Sequence, residues 1–430
     1  MSKTLASAYA NNPSLNSARA LTRATHEGVA IARGAFRPQV FGTSTTALES
    51  TATTPGTEGT GIESTLGINV DQTLFNGFQR VNATRGAESD VRAQQEALRS
   101  QEQTTLLDAV TAFADVIQDE EILRLNRANL EFLDEQVRAS QDRFDVGEGT
   151  RTDISQAQAD RQSALSDVLS AEANLASSRA TFFQVTGIRA QNLRRDIKIR
   201  RHLPKSLKSA LTTSAREHPD IVSALHSVDS AEFNVKEQEG ALLPTVSLEG
   251  SASTTFQPVG AGSVTDRVDN GSVGLTLSVP LYQGGIVSAQ VRQAKEQLGQ
   301  ARIDVDVARD VIRQSVVSTW NNLLAANASI RAAQAGVRAA ELALEGVIEE
   351  QRVGQRTRLD ILDQQSTLIS AQITLAQAQR NQLVFAYSLL STIGRLSAQR
   401  LNLSVALHVP QKHYQKVRDK WLGLRTPDGR

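Results

Sequence analysis

The sequence predicts a mainly α-helical chain with a smaller β component, in which one unit of about 200 residues occurs twice. Three observations lead to this fold class. A helical pattern without proline runs over 287–351, roughly 100 Å of helix at ~1.5 Å per residue, and a second helical pattern returns over 359–391. Apolar residues recur at every seventh position along the first segment. The same hairpin, with the same turn, occurs 207 residues earlier.

The seven-residue repeat favours helices that pack side by side along their length. Its members share an aliphatic side chain and are Val316, Leu323, Ile330, Val337 and Leu344. A strict repeat of this period is typical of a left-handed supercoil. Alanine, serine and glycine dominate between these positions, and small residues let helices approach closely on more than one side. The pattern therefore favours a wall of many helices over a two-stranded rod.

The duplication can be followed from one turn to the other. The matched pairs are Val146-Gly147 with Val353-Gly354, Thr150 with Thr357, and Asp153 with Asp360, each at an offset of 207 residues. We therefore predict a first repeat at 1–206 and a second repeat at 207–405. A basic C-terminal tail at 406–430 is expected to be extended and exposed.

Each repeat is expected to contain the same series of elements. The first has a helix, a strand hairpin at 39–75, a long helix at 78–146, a return helix at 151–187 and an equatorial segment at 191–206. The second has a helix, a strand hairpin at 245–281, a long helix at 285–351, a return helix at 358–392 and an equatorial strand within 400–409. Loops are expected inside the strand hairpins at 51–61 and 257–272, and a further short equatorial strand at 196–200.

The strand hairpins leave two interpretations open. Their strands alternate apolar and polar residues over ~9–11 positions, the length that crosses a bilayer when tilted. Four strands are too few to close a barrel, and an open sheet in lipid would leave backbone groups unpaired, so membrane-spanning strands would require an oligomer. The alternative is a soluble periplasmic coiled-coil scaffold without channel activity, on which the hairpins are surface features.

Composition excludes several classes of function. The 46 basic residues balance the 46 acidic ones, which argues against a nucleic-acid partner. The absence of cysteine fits an exported protein, although no signal peptide is visible, so we expect a processed, trimmed or late-started form. The six histidines show no ligand spacing, and no nucleophile–base pair, phosphate loop or metal cluster is apparent. We therefore expect neither an enzyme nor a cofactor.

The motifs, taken in order, resemble those of one known family. They are Asn12-Pro13 and His218-Pro219, Pro38 and Pro244 before the strands, Leu74-Phe75-Asn76-Gly77 and Leu281-Tyr282-Gln283-Gly284 after them, and the two Val-Gly-x-x-Thr-x-x-Asp turns. Their duplicated order is similar to that of the outer-membrane efflux protein (TolC) family. The resemblance covers nearly the whole chain up to about residue 405.

The resemblance implies a homotrimer in the outer membrane of a Gram-negative bacterium, extending into the periplasm. Three chains would form a twelve-stranded transmembrane β-barrel and a periplasmic α-helical barrel that serves as a tunnel. Such a channel works as a passive exit duct, recruited by an inner-membrane efflux or ABC transporter and a periplasmic adaptor (membrane fusion) protein. Its cargo is drugs and toxic compounds, as in multidrug resistance, and in some members proteins exported by type I secretion.

The turns carry the candidate site residues. Thr150 with Asp153, and Thr357 with Asp360, each have the form of a helix capping box, which by itself would explain both acids. Asp363 follows Asp360 by three residues and lies on the same side of the helix. By resemblance, Asp360 and Asp363 form a ring of six carboxylates at the periplasmic entrance of the trimer.

The resemblance also assigns roles to other residues of the turns. Arg356 would tie the entrance closed through Thr152 and Asp153, although Gln351 stands where the family's best-studied channels carry tyrosine. The residues expected to dock the adaptor are Val146, Gly147, Thr150, Val353, Gly354 and Thr357. Glycine at these turns also has a local reason, because it ends a helix in the left-handed conformation.

Overall fold

A computed structural model describes residues 1–53, 57–191, 193, 202–259, 264–427 and 429 of the chain. The helices are α1 (Ser2–Asn11), α2 (Pro13–Gly34), α3 (Gln79–Asp145), α4 (Arg151–Thr186), α5 (Leu207–Glu217), α6 (Pro219–Gly240), α7 (Ile286–Arg352), α8 (Arg358–Thr392) and α9 (Pro410–Val417). The strands are β1 (Gln39–Thr53), β2 (Thr57–Asn76), β3 (Thr245–Val259) and β4 (Val264–Ser278). The mainly helical fold class with two strand hairpins is therefore confirmed.

The chain divides into two compact units, and each draws on both halves of the sequence. The helical unit comprises Met1–Ala20, Glu96–Val222 and Val307–His408. The strand unit comprises Leu21–Gln95, Ser223–Asp306 and Val409–Arg430. Within the described residues, no helix is both long enough and apolar enough to cross a membrane.

The core of the helical unit is formed by aliphatic and aromatic residues of the long helices and the segments beside them. The largest fully buried side chains there include Leu106, Phe113, Phe182, Leu389, Leu390 and Leu396. Along the predicted seven-residue repeat, Val316 and Leu323 are buried, and Ile330, Val337 and Leu344 are half-buried. The repeat thus marks a packed face of α7, as its period indicated.

The strand unit contains one antiparallel sheet in the order β1-β2-β3-β4. Residues directly opposite one another in such a sheet project from the same face. The register pairs Val40 with Val70, Ile68 with Ala252 and Leu248 with Leu275. One face therefore carries the aliphatic residues Val40, Leu48, Ile62, Leu66, Ile68, Val70, Leu248, Val273, Leu275 and Leu277, all of them solvent-exposed in the single chain.

The opposite face of the sheet is polar. It carries Glu63, Thr65, Asn69, Asp71 and Glu249, and Thr65 hydrogen bonds to Thr255 across β2 and β3 at 3.0 Å. The alternation was visible in each strand separately. Only the register shows that all four strands contribute aliphatic residues to the same face, whereas Phe41 and Val268 lie on the polar face.

The strands are longer than the sequence indicated. The ladder of β1 and β2 extends to the pair Thr53–Thr57, and β4 begins at Val264, inside the expected loop at 257–272. Paired strands continue through polar residues because the partner backbone satisfies their N–H and C=O groups whatever the side chains are. β4 ends at Ser278 rather than at 281, shortly before Pro280, which has no N–H to donate.

The C-terminal tail is not extended throughout, which corrects the expectation for 406–430. Pro410 begins α9, where its fixed φ and missing N–H favour a first helical turn, and Val417 at the end of the helix is fully buried. His413 Nδ1 lies 3.1 Å from Nδ1 of the buried His26, and Tyr414 meets the same ring edge-on. No sequence spacing signals these contacts, because they join residues nearly 400 positions apart.

The equatorial strand expected within 400–409 is also wrong. Residues 400–409 form turns and irregular backbone, with Asn402 at a φ of 49°. A left-handed residue reverses the chain, and the N–H of Leu403 donates to the carbonyl of Ala398 at 3.0 Å instead of joining a ladder. The other expected equatorial strand, at 196–200, lies outside the described residues.

Two glycines of the strand unit are in close contact where helices give way to strands. A Cβ on Gly240, the last residue of α6, would lie 2.4 Å from the carbonyl oxygen of Gly77. A Cβ on Gly77 would lie 2.1 Å from the carbonyl oxygen of Gly240, and Gly77 also has a φ of 62°. The two backbones can approach this closely only because neither residue has a side chain.

We expect Gly240→Ala to destabilise the strand unit by ~1–3 kcal/mol, because the new methyl group overlaps backbone that cannot move away easily. Gly34→Ala is the matched control, since Gly34 ends α2 as Gly240 ends α6 and its Cβ would meet nothing within 4 Å. Thermal unfolding followed by circular dichroism should show a lower midpoint for Gly240→Ala only. Equal midpoints for the two variants would contradict the close contact.

Candidate functional site

The candidate site comprises the two turns of the helical unit that connect α3 to α4 and α7 to α8, and both turns end the preceding helix in the same way. Gly147 and Gly354 have φ values of 81° and 79°. Their N–H groups donate to the carbonyls of Phe144 and Gln351, each at 3.0 Å. A Cβ on either glycine would meet nothing within 4 Å, so it is the left-handed conformation that requires glycine here.

The valine before each glycine is exposed although it is apolar. Val146 is 71% exposed and Val353 is 70% exposed. The two predicted docking turns therefore present the same apolar residue beside the same glycine. Four positions after the glycine, both turns also carry an arginine, which begins α4 at Arg151 and α8 at Arg358.

Both predicted capping boxes are present. Thr150 Oγ1 accepts from the N–H of Asp153 at 3.2 Å, and the Asp153 carboxylate accepts from the N–H of Thr150 at 2.9 Å. Thr357 and Asp360 repeat this arrangement at 3.4 and 2.7 Å. Each pair satisfies two N–H groups that the first turn of a helix leaves without a partner.

Hydrogen bonding at the caps changes the acidity of both aspartates. The pKa of Asp153 is lowered, chiefly by the backbone hydrogen bond from Thr150, and the pKa of Asp360 is lowered, chiefly by the hydroxyl of Thr357. A carboxylate with a lowered pKa stabilises its helix above its ordinary pKa. That contribution is lost as the pH falls through the lowered value. Both caps are therefore fully formed at neutral pH.

Asp363 has a different environment from Asp360. It lies one turn further along α8 and is exposed, and its backbone carbonyl accepts from the hydroxyl of Thr367 at 2.9 Å. Within the described residues, its carboxylate takes part in no helix cap. Capping therefore accounts for Asp360 but not for Asp363.

Arg356 pairs within its own hairpin. Its Nε lies 2.8 Å from a carboxylate oxygen of Glu350, and its Nη1 lies 3.9 Å from the Asp360 carboxylate. The hydrogen bond with Glu350 is the main reason that the pKa of Arg356 is raised. In the single chain, the structure does not bring Arg356 to Thr152 or Asp153. Sequence reasoning missed Glu350, although an acid in the last turn before the glycine was a visible signal.

Arg358 makes one of the contacts between the two hairpins. Its Nη1 donates to Ser140 Oγ at 2.7 Å and to the carbonyl oxygen of Gln136 at 3.4 Å, and both acceptors belong to α3. Its positive charge also contributes to the lowered pKa of Asp153. Further along α8, Gln365 donates to Asn129, which also belongs to α3, at 3.4 Å. No sequence pattern indicated this role, because the acceptors lie about 220 residues away.

The chain matches a known protein family over most of its length. The family described as "Outer membrane efflux protein" matches residues 4–188 and 211–395. The chain is 47% identical to the outer membrane efflux protein BepC of Brucella suis, over 99% of this chain and 92% of BepC. It is 26% identical to the alkaline protease secretion protein AprF of Pseudomonas aeruginosa, over 82% of this chain and 74% of AprF.

A solved structure has the same fold. The CmeC outer membrane channel of Campylobacter jejuni superposes with a TM-score of 0.82 at 16% identity, over 97% of this chain and 88% of CmeC. At this level of identity the comparison bears on the fold alone. It includes both the long helical hairpins and the four strands, because nearly the whole chain is covered.

Replacing Arg358 should loosen the contact between the hairpins. We expect Arg358→Ala to cost about 1 kcal/mol locally, which corresponds to about fivefold faster amide hydrogen exchange near residues 136–145 of α3. Arg356→Ala is the matched control, because it removes an equally charged side chain whose partners lie in its own hairpin. Exchange measured by mass spectrometry should separate the two variants. Equal protection of α3 in both would contradict the assignment of Arg358.

Proposed function

The chain belongs to the outer membrane efflux protein family, and on this premise we propose that it is a trimeric exit channel recruited by an inner-membrane transporter and a periplasmic adaptor protein. It is an outer-membrane efflux channel of a Gram-negative bacterium, so the predicted family, function and location are confirmed and the soluble scaffold is not favoured. The family is one of channels and not of enzymes. The trimer, the named partners and the roles of single residues are proposals.

The two-faced sheet is the observation that carries this proposal. In lipid, an unpaired backbone N–H or C=O costs several kcal/mol, and among the described residues β1 and β4 each have one edge without a partner strand. Further copies of the chain would satisfy both edges. Three copies of four strands make twelve, enough to enclose a lumen lined by the polar face, with the aliphatic face towards lipid.

The long helices support the same assembly. Several large aliphatic side chains of α7 are exposed in the single chain, among them Val307, Val311, Leu324 and Leu342. A helix with apolar residues on its packed face and on other faces as well is suited to a wall with neighbours on more than one side. We propose that neighbouring subunits cover these residues in an α-helical barrel.

We propose the periplasmic entrance at the two turns, with Asp360 and Asp363 as its charged ring. Three copies would bring six carboxylates together, of which three belong to helix caps and three to Asp363. We assign Arg356, Thr152 and Asp153 to the closed state of this entrance. In support of this assignment, Nη1 of Arg356 lies 3.9 Å from the Asp360 carboxylate, which places its charge at the turn, and the contacts to Thr152 and Asp153 would be made between subunits.

We propose the same turns as the docking surface for the adaptor. The residues assigned to it are Val146, Gly147, Thr150, Val353, Gly354 and Thr357. The support is the equivalence of the turns, because each offers an exposed valine, a left-handed glycine and a capping threonine in the same order. An adaptor that recognises one turn could therefore recognise the other, giving six equivalent positions in a trimer.

We propose the efflux of toxic compounds as the main task, on the strength of 47% identity to a protein named for efflux. Protein export is the second candidate, because AprF is named for protease secretion. We also retain the division into repeats at 1–206 and 207–405 as a proposal. The two family matches support it, since their limits at 4 and 211 and at 188 and 395 both differ by 207 residues.

The orientation of the sheet can be tested with arginine. Ile68→Arg places a charge on the aliphatic face and should cost ~2–4 kcal/mol if that face meets the middle of the bilayer. Asn69→Arg is the control, because residue 69 projects from the polar face. The yield of assembled channel in outer-membrane fractions should fall for Ile68→Arg and be nearly unchanged for Asn69→Arg. The reverse order would mean that the faces are assigned the wrong way round.

The channel and its charged entrance can be tested together by single-channel recording in planar bilayers. The parent should conduct, prefer cations and be blocked by multivalent cations, because several negative carboxylates in a narrow mouth attract cations. Asp360→Ala/Asp363→Ala should lose the selectivity and the block but still assemble, because the lost cap is worth only ~1 kcal/mol.

The control for this experiment is Ser206→Ala, which removes the side-chain cap of α5, a helix outside the proposed entrance, and leaves the ring intact. It should therefore keep its cation selectivity. If the double variant keeps both selectivity and block, the two aspartates have only structural roles. If the parent forms no channel at all, the proposed function itself is contradicted.

A further inference from the structure

The end of the C-terminal tail is held in a fixed place within the strand unit. Beyond the buried Val417, Asp419 forms an ion pair with Arg33 of α2. Arg37, two residues before β1, donates from Nη1 to the carbonyl oxygen of Lys420 at 2.9 Å. The guanidinium of Arg37 also lies 4.5 Å from the centre of the Trp421 ring. The tail is therefore attached where α2 gives way to the sheet.

The residues that follow form a compact loop with its apolar side chains outward. The Lys420 ammonium donates to the carbonyl oxygen of Arg425, and Gly423 has a φ of 107°. Trp421 is 68% exposed, Leu422 is 87% exposed and Leu424 is fully exposed. We call residues 421–425 the tail loop. A loop that is fixed in position yet turns its three largest apolar side chains to solvent suggests an apolar partner.

The neighbours of the tail loop are of the same kind. Where the helices meet the sheet, the chain exposes further apolar side chains, which are Phe36, Phe78, Leu242, Leu243, Leu281 and Tyr282. Phe36 is tied to the sheet, because Gln72 of β2 donates to its carbonyl oxygen at 3.1 Å. We call these six the junction residues. They flank β1, β2, β3 and β4, so the aliphatic face of the sheet is bordered by aromatic and leucine side chains at this end.

The composition of the tail loop matches one environment in particular. Tryptophan is enriched where a bilayer meets water, because its ring is apolar and its N–H is polar. Leucine beside lysine and arginine is typical of segments that lie in the interface, with the aliphatic groups in the acyl region and the cations near phosphate. Lys420 and Arg425 supply the cations at the two ends of the loop.

We propose that the tail loop is an interfacial anchor, which inserts Trp421, Leu422 and Leu424 into the headgroup region of a phospholipid bilayer at the base of the sheet. Arg33 and Arg37 hold it at that depth. The tail loop thus adds apolar side chains, from a distant part of the sequence, to those of the junction residues at this end of the sheet. This inference rests on the proposed function, since it requires the aliphatic face of the sheet to lie in lipid.

The two tryptophans of the chain make a direct test possible. In the full chain carrying Trp320→Phe, all tryptophan emission comes from Trp421. The protein is reconstituted in phosphatidylcholine vesicles whose acyl chains carry bromine either near the carbonyl end or near the middle. Bromine near the carbonyl end should cause the larger loss of Trp421 emission. Adding Leu422→Asp and Leu424→Asp should reduce that loss, because the loop would no longer favour the acyl region.

A reporter in the sheet separates this inference from the function on which it rests. In a chain carrying Trp320→Phe and Trp421→Phe, Leu275→Trp places the single tryptophan on the aliphatic face. Its emission should be lost mainly to bromine in the middle of the acyl chains. If bromine reduces the Leu275→Trp emission but not the Trp421 emission, the proposed anchor is overturned. This holds whether water or a neighbouring subunit surrounds Trp421. If the Leu275→Trp emission is unaffected at both depths, the proposed membrane sheet is overturned instead.

Discussion

The pairing of backbone hydrogen bonds at the edges of the four-stranded sheet is the constraint on which the rest depends. In the part of the chain that the structure describes, the sheet has an apolar face, a polar face and two edges without partner strands. Lipid can surround the apolar face but cannot hydrogen bond to the edges, so a single copy would be unstable there. In the helical unit, aliphatic residues of α7 are likewise exposed in the single chain. The proposed oligomer would cover both.

In the proposed channel, Asp360 would serve two purposes. It caps α8, and the hydrogen bonds of the cap keep it charged at neutral pH by lowering its pKa. At the proposed entrance, this carboxylate would also supply a negative charge, and Asp363 would add another without forming a cap. Arg358 contacts α3, whereas Arg356 pairs within its own hairpin.

The C-terminal tail acquires its structure from the surface on which it lies. Its charges suggested an exposed, extended segment, but Val417 is buried, His413 meets His26 and Asp419 pairs with Arg33. The contacts of His413 and Val417 are possible together because the two residues lie four positions apart, on the same side of α9. The tail therefore belongs to the strand unit, and its exposed residues lie beside the other apolar side chains at the base of the sheet.

Features that depend on residues close together in the sequence, such as helix ends and helix caps, could be predicted without a structure. Periodicity and glycine placed the ends of α3 and α7 within one residue, and the Thr-x-x-Asp spacing identified both capping boxes. Three features became visible only in the folded chain: the common face of the four strands, the contact of Arg358 with Ser140 and the contact of His26 with His413. The reason is the sequence separation of the residues that make contact. A helix or a cap is specified within a few residues, whereas these contacts join positions about 185 to 390 residues apart, and no local pattern encodes such pairs.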